Sequence, residues 1–71
     1  MKFIIKHEIR GRLRVHMMQK RMSYREADTL EYTLSECPFI TKVSVQSRTQ
    51  DVTICYGGER DKVLSLLRDF Q

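Results

Sequence analysis

Sulfur and imidazole side chains that could hold a metal ion gather near the start of the chain: His16, Met17, Met18 and Met22. Such soft or borderline donors bind cuprous ions, and methionine-rich segments can hold them. The residues around them alternate as in a strand, however, which places Met17 inside and His16 outside. Because methionine is also a common filler of hydrophobic cores, the pattern favours packing over a metal site.

Two cysteines, Cys37 and Cys55, are the thiols of the chain. Cys37 follows a predicted helix, whereas Cys55 is out of phase with the inward-facing Ile54 and Tyr56 of a predicted strand. Stacked layers lie about 10 Å apart, so we expect two separate thiols and no shared metal or disulfide.

Residues 1–8 lack the apolar stretch of a secretory signal, which predicts a cytosolic setting and reduced thiols.

Groups that could support catalysis do not form a recognisable arrangement. The carboxylates of the predicted helix exteriors and turns are scattered along the chain: Asp28, Glu31, Asp51 and Asp61. No nucleophile is spaced with a base and an orienting group. Gly57 and Gly58 could cradle an anion before a helix, but Glu59 opposes this and strand termination explains them better. We therefore expect no enzymatic activity and no cofactor.

The length sets a further limit on function. A chain of 71 residues and 8.5 kDa forms a single domain, residues 1–71. Such a domain buries only about 60% of the surface that the unfolded chain exposes, which rules out a large internal active site. No apolar run approaches the roughly 18 residues that a membrane-spanning helix needs.

The charge is distributed unevenly along the chain. Residues 1–25 carry eight bases and one acid, whereas residues 26–71 carry five bases and eight acids. This asymmetry steers an anionic partner toward one part of the surface. Nucleic acid, lipid headgroups and an acidic protein face all have the required charge, and a simply solvated surface remains the alternative.

Two segments near the start have the period-two pattern of strands. Over residues 2–9, the residues Phe3, Ile5, His7 and Ile9 share one face, which would place His7 inside as a hydrogen-bonded structural histidine. Residues 13–18 repeat the pattern, with Leu13, Val15 and Met17 inward. Gly11 lies between the two segments, which predicts a hairpin that turns between residues 9 and 12.

The remaining elements follow from caps and periodicity. Ser23 and Glu26 have the spacing of a capping box, so a helix should begin there and end near Glu36, before Pro38. Strands are predicted for residues 39–46 and from residue 52 until Gly57. A second amphipathic helix, marked by Val63, Leu66, Leu67 and Phe70, runs to the end of the chain without a stop signal. We therefore expect the domain to be excised from a longer protein.

The predicted order of elements is β-β-α-β-β-α. This order implies an α+β fold, with one four-stranded antiparallel sheet and both helices on a single face. The expected core consists of Leu13, Val15, Ala27, Leu30, Leu34, Val43, Val45, Val52, Ile54, Val63 and Leu67.

Two stretches of the chain resemble a known family. They are Leu13-Arg14-Val15-His16-Met17-Met18 through Ser23 and, after a helix, Cys37-Pro38-Phe39-Ile40. They are similar to the heavy-metal-associated domain of metal-transporting P-type ATPases and copper chaperones, over residues 12–70. The resemblance is greater to a cysteine-free branch with a strand like Gly11-Arg12-Leu13-Arg14-Val15. It implies a ferredoxin-like two-layer sandwich at the cytosolic N-terminus of such a transporter.

Departures from the family pattern concern the metal loop and the last strand. The two metal-binding cysteines of the family align with Lys20 and Ser23, which offer no thiolate, so we expect no metal site. No segment after the second helix can supply the family's last strand. Residues 2–9 are expected to replace it, which gives the sheet order first, second, fourth, third along the chain.

The resemblance implies a regulatory or docking role on the cytoplasmic side of an integral membrane transporter. The expected partners are the transporter's other cytosolic domains, a metallochaperone or anionic headgroups. The candidate contact surface consists of Lys6, Arg12, Arg14, Lys20 and Arg21. A small basic module that binds nucleic acid or acidic proteins is the alternative. Specific nucleic-acid recognition is not favoured, because the predicted open sheet face lacks aromatic side chains for base stacking.

Overall fold

A computed structural model describes residues 2–19 and 21–70 of the protein. The sheet contains four antiparallel strands: β1 (Phe3–Ile9), β2 (Arg12–Met17), β3 (Ile40–Gln46) and β4 (Asp51–Tyr56). The helices are α1 (Tyr24–Ser35), after β2, and α2 (Arg60–Asp69), after β4. The strand order is β1-β2-β4-β3, as predicted. The architecture is the small α+β ferredoxin-like fold expected from the sequence.

Local sequence explains how α1 and the first hairpin form. Glu26 donates its backbone N–H to Ser23 Oγ at 3.1 Å, and Glu26 Oε1 accepts from the Ser23 backbone N–H at 3.2 Å, so the predicted capping box is confirmed. The β1–β2 turn contains Gly11 at a φ of +82°, in the left-handed region that glycine enters without steric cost. The Gly11 carbonyl accepts from the Tyr56 N–H at 2.9 Å, which ties the turn to β4.

A single apolar core lies between the sheet and the helices. Its fully buried side chains come from β2, β4 and both helices: Leu13, Val15, Met17, Leu30, Leu34, Val52, Ile54, Val63 and Leu67. The predicted core residues Val43 and Val45 are only half-buried, because β3 is an edge strand. The inward placement of Met17 is confirmed, and the buried apolar residues that the prediction did not contain are Met22, Ile40 and Leu64.

A β-bulge in β1 corrects the predicted orientation of that strand. Ile5 pairs with Val15, but the next pair joins His7 to Arg14, so Lys6 is an extra residue. The insertion shifts the alternation by one position, because successive side chains of a strand point to opposite faces. Phe3 and Ile5 face the helices as predicted, whereas the inward placement of His7 and Ile9 is wrong.

Glu8 takes the inward position after the bulge. It lies opposite the buried Leu13, and its carboxylate forms an ion pair with the Arg60 guanidinium at the start of α2. This hydrogen bond raises the pKa of Arg60. The bulge therefore places a carboxylate opposite Leu13 instead of His7, and this carboxylate joins the outer strand to the helix layer.

The helices are also short relative to a bilayer. Neither one, within the residues that the structure describes, has the length and apolar character that crossing a membrane requires.

Candidate partner-binding surface

The sheet face without helices is the candidate binding surface, and we call it the open face. Strand alternation builds it, because Leu13, Val15 and Met17 are buried and their neighbours must point the other way. Register extends it across all four strands. Its residues are Ile4, His7, Ile9, Arg12, Arg14, His16, Lys42, Ser44, Gln46, Asp51, Thr53 and Cys55, with the bulged Lys6 beside them.

Basic side chains occupy the middle of the open face. Arg12 and Arg14 are exposed on β2, where β1 lies on one side and β4 on the other. Arg12 and Lys42 both lie opposite Cys55 and border a shallow depression that Ser44 and Thr53 complete. The arginines donate hydrogen bonds in a planar fork suited to carboxylates and phosphates. This surface can bind an anionic group at several points at once.

The acid of the open face is hydrogen-bonded within that face. Asp51 Oδ1 lies 3.0 Å from His16 Nδ1, in the row where β2 pairs with β4. The hydrogen bond from His16 is the main cause of a lowered Asp51 pKa; the charge of Lys6 acts in the same direction, and desolvation opposes both. The Asp51 carboxylate is therefore engaged within the face, which remains basic as a whole.

Three of the five predicted contact residues lie together in the structure. Lys6, Arg12 and Arg14 come together on or beside the open face, and the register adds His7 and Lys42 to them. Arg21 is exposed in the loop between β2 and α1, where its carbonyl accepts from Gln19 Nε2 at 2.7 Å. Lys20 lies outside the described residues.

The loop before α1 separates the soft donors from one another. Met17 and Met22 are buried in the core, Met18 is 53% exposed, and His16 is paired with Asp51 on the open face. Within residues 2–19 and 21–70, no three histidine, cysteine or acidic side chains are placed to share a metal ion. Ser23 caps α1, so its hydroxyl is already an acceptor for a backbone amide.

The cysteines occupy the separate positions that the pattern predicts. Cys37 packs against the core after α1, whereas Cys55 lies on the open face between Arg12 and Lys42. Both thiols are free.

Gln50 is a structural residue that the sequence pattern does not reveal. It ends the β3–β4 turn with a φ of 62°, and only 7% of its surface is exposed. Its carbonyl accepts from the Met17 N–H at 2.9 Å, and its Nε2 donates to the Gln19 carbonyl at 2.6 Å. Gln50 therefore joins the end of β2 to the start of β4. A left-handed turn position is more typical of glycine or asparagine, so nothing in the sequence marks it.

Aromatic side chains lie away from the open face. Those that contact the core are Phe3, Phe39, Tyr56 and Phe70. Tyr24 and Tyr32 are 80% and 67% exposed on α1, in the opposite layer. The part of the open face that the structure describes therefore has cationic groups without a stacking platform for bases.

Comparison of the chain with protein-family models, curated proteins and solved structures gives no match.

Proposed function

We propose that this protein is a non-catalytic docking domain whose open face binds an acidic protein surface. The observation that carries the proposal is the cluster of Lys6, Arg12, Arg14 and Lys42 on a sheet face whose acid, Asp51, already has a partner. On the resemblance to the cysteine-free heavy-metal-associated domains, we infer that the partner is another cytosolic domain of a metal-transporting P-type ATPase. Metal selection and ATP hydrolysis would belong to the rest of that transporter.

Electrostatics would determine both the rate and the selectivity of such docking. Exposed like charges on a rigid sheet raise the local concentration of an oppositely charged partner and orient the encounter. Screening weakens such attraction beyond about 8 Å at physiological ionic strength. We therefore infer a reversible, salt-sensitive contact that regulates the transporter rather than a permanent interface.

Charge reversal on β2 tests the open face. The Arg12→Glu, Arg14→Glu variant should fold normally, because exposed charges contribute little to stability. Each base near an anionic surface is worth about 1 kcal/mol, so affinity for an acidic partner should fall at least about 30-fold. The probe is poly-L-glutamate, with phosphatidylserine vesicles and a single-stranded RNA as comparisons, and the readout is fluorescence anisotropy or co-sedimentation.

A second pair of bases provides the matched control. Arg48 and Lys62 are exposed on the β3–β4 turn and on α2, and neither is one of the residues of the open face. The Arg48→Glu, Lys62→Glu variant has the same net charge as the first variant but should retain binding. Equal losses in the two variants would show that only total charge matters and would overturn the docking site. Tighter binding of RNA than of polyglutamate would favour the nucleic-acid alternative.

A restored thiolate pair tests the proposed family relationship. The chain as it stands should bind no cuprous ion tightly, whereas Lys20→Cys, Ser23→Cys should create a site. The second cysteine would lie at the N-terminus of α1, where the helix dipole favours a thiolate. Loss of the Ser23 cap should lower the free energy of unfolding by about 1 kcal/mol.

Competition against a cuprous chelator under reducing conditions measures this site. Ser23→Cys alone is the control, because it removes the cap and adds only one thiolate. A double variant that binds no better than the single variant would contradict the alignment with the metal loop. Tight binding by the unchanged chain would contradict the metal-free assignment.

A further inference from the structure

The exposed surface of α1 is opposite in charge to the open face. Four acids and one base lie on α1 or at its C-cap, and all are exposed: Arg25, Glu26, Asp28, Glu31 and Glu36. Glu26 is engaged in the capping box. Among residues 2–19 and 21–70, Asp28 and Glu31 form no ion pair. The molecule therefore has an acidic helix surface on one side of the core and a basic sheet face on the other.

Aromatic groups are divided between the two surfaces in the same complementary way. Tyr24 and Tyr32, the most exposed aromatic side chains, are on α1, whereas the open face has the exposed guanidinium groups of Arg12 and Arg14. A guanidinium over an aromatic ring is attracted to it, by about 0.5–1 kcal/mol at exposed sites. The two surfaces are thus complementary in their predominant charge, and the exposed rings of one can meet the guanidinium groups of the other.

The dimensions of the two surfaces also agree. A helix of 12 residues is about 18 Å long. Strands of six or seven residues are about 20 Å long, and four of them side by side are about 19 Å wide. One α1 helix can lie across the open face of another molecule. The face area of about 400 Å² is half of what each partner contributes to a standard stable interface, so the contact should be weak.

We propose that the open face of one copy binds the acidic α1 surface of a second copy. This inference rests on the proposed function, because it names a second copy of the chain as one acidic partner of the same face. The two contacting surfaces differ, so every added copy leaves one free basic face and one free acidic helix. The expected product is a salt-sensitive series of head-to-tail oligomers and not a discrete dimer.

Sedimentation velocity over a range of protein concentrations tests the association. At about 0.01 M salt, the weight-average sedimentation coefficient should rise continuously with concentration, and at about 1 M salt it should return to the monomer value. A coefficient that is independent of concentration at low salt would overturn the inference. Saturation at a dimer would overturn it too, because the two surfaces lie on opposite sides of the core and one partner copy cannot engage both of them.

Two charge-reversed variants make the test specific. Arg12→Glu, Arg14→Glu alters the basic face and Asp28→Lys, Glu31→Lys alters the acidic helix, so each alone should remain monomeric at low salt. An equimolar mixture should associate again, because each interface then joins opposite charges. Asp61→Lys, Asp69→Lys reverses two exposed acids of α2 and should associate as the unchanged chain does. A mixture that stays monomeric would overturn the pairing of these surfaces.

Binding of poly-L-glutamate in the same buffer separates this inference from the proposed function. If the unchanged chain binds polyglutamate through Arg12 and Arg14 but does not associate with itself, the inference of self-association is overturned and the proposed docking function is retained. If it does neither, both are overturned. Thermal unfolding of each variant within about 3 °C of the unchanged chain confirms that the comparison concerns folded molecules.

Discussion

We expect Leu30→Ala to lower the free energy of unfolding by about 2 to 5 kcal/mol. Leu30 is fully buried on α1, in the helix layer that covers the sheet. The substitution removes buried apolar surface and leaves a cavity, and both effects destabilise the folded state. A domain of this size has about 4 to 10 kcal/mol in total, so the variant should be close to unfolding at ordinary temperatures.

Urea denaturation followed by circular dichroism measures this loss as a shift in midpoint. Glu31→Ala, one position further along the same helix, is the control, because Glu31 is exposed and its replacement should change stability by no more than about 0.5 kcal/mol. Equal midpoints for Leu30→Ala and the unchanged chain would contradict the placement of Leu30 in the core.

Removal of β1 should destabilise the domain more than Leu30→Ala does. A chain that begins at Arg10 would leave β2 as an exposed edge whose backbone N–H and C=O groups have no partner. It would also lose Phe3, which packs against the core, and the ion pair between Glu8 and Arg60. We expect loss of cooperative unfolding and formation of aggregates, observed by thermal melting and size-exclusion chromatography.

A substitution within β1 distinguishes loss of the strand from a change in its sequence. Ile4 is 50% exposed on the open face, so Ile4→Thr should preserve the fold. A truncated chain that melts cooperatively at the temperature of the unchanged chain would show that β1 is dispensable. The sheet would then be stable with three strands.

The sequence predicts those features that depend on periodicity or on a local cap. Ser23 and Glu26 identify the start of α1, and the alternation of Leu13 with Arg12 and Arg14 places the two arginines on one face. The sequence does not predict the bulge, because Lys6, His7 and Glu8 are all polar and show no alternation of apolar and polar residues. Ile9 then fits the alternation that Phe3 and Ile5 begin. Only pairing with β2 decides which of these side chains face the helices.

Other parts of the candidate site depend on contacts between distant segments. The Asp51 and His16 side chains meet because β4 pairs with β2, a relation that neither local stretch reveals. Lys42 lies on the open face as the pattern predicts, but a second bulge, between Ile40 and Lys42, places Ile40 in the core. Gln50 is buried in a turn that its sequence marks as polar. Such details require register, which long-range pairing determines.

The position of β1 before β2 has a consequence for folding kinetics. All partners in that hairpin are at most 14 positions apart, from Phe3 and Met17 inward to the turn. The pairing of β2 with β4 joins Leu13 to Ile54, which are 41 positions apart. Closing short loops costs less entropy, and hairpins form in about 1–10 μs. The local contacts of this hairpin lower the contact order of the fold. The hairpin can form before the slow long-range pairing is complete, and β1 then shields the edge of β2 from other unfolded chains.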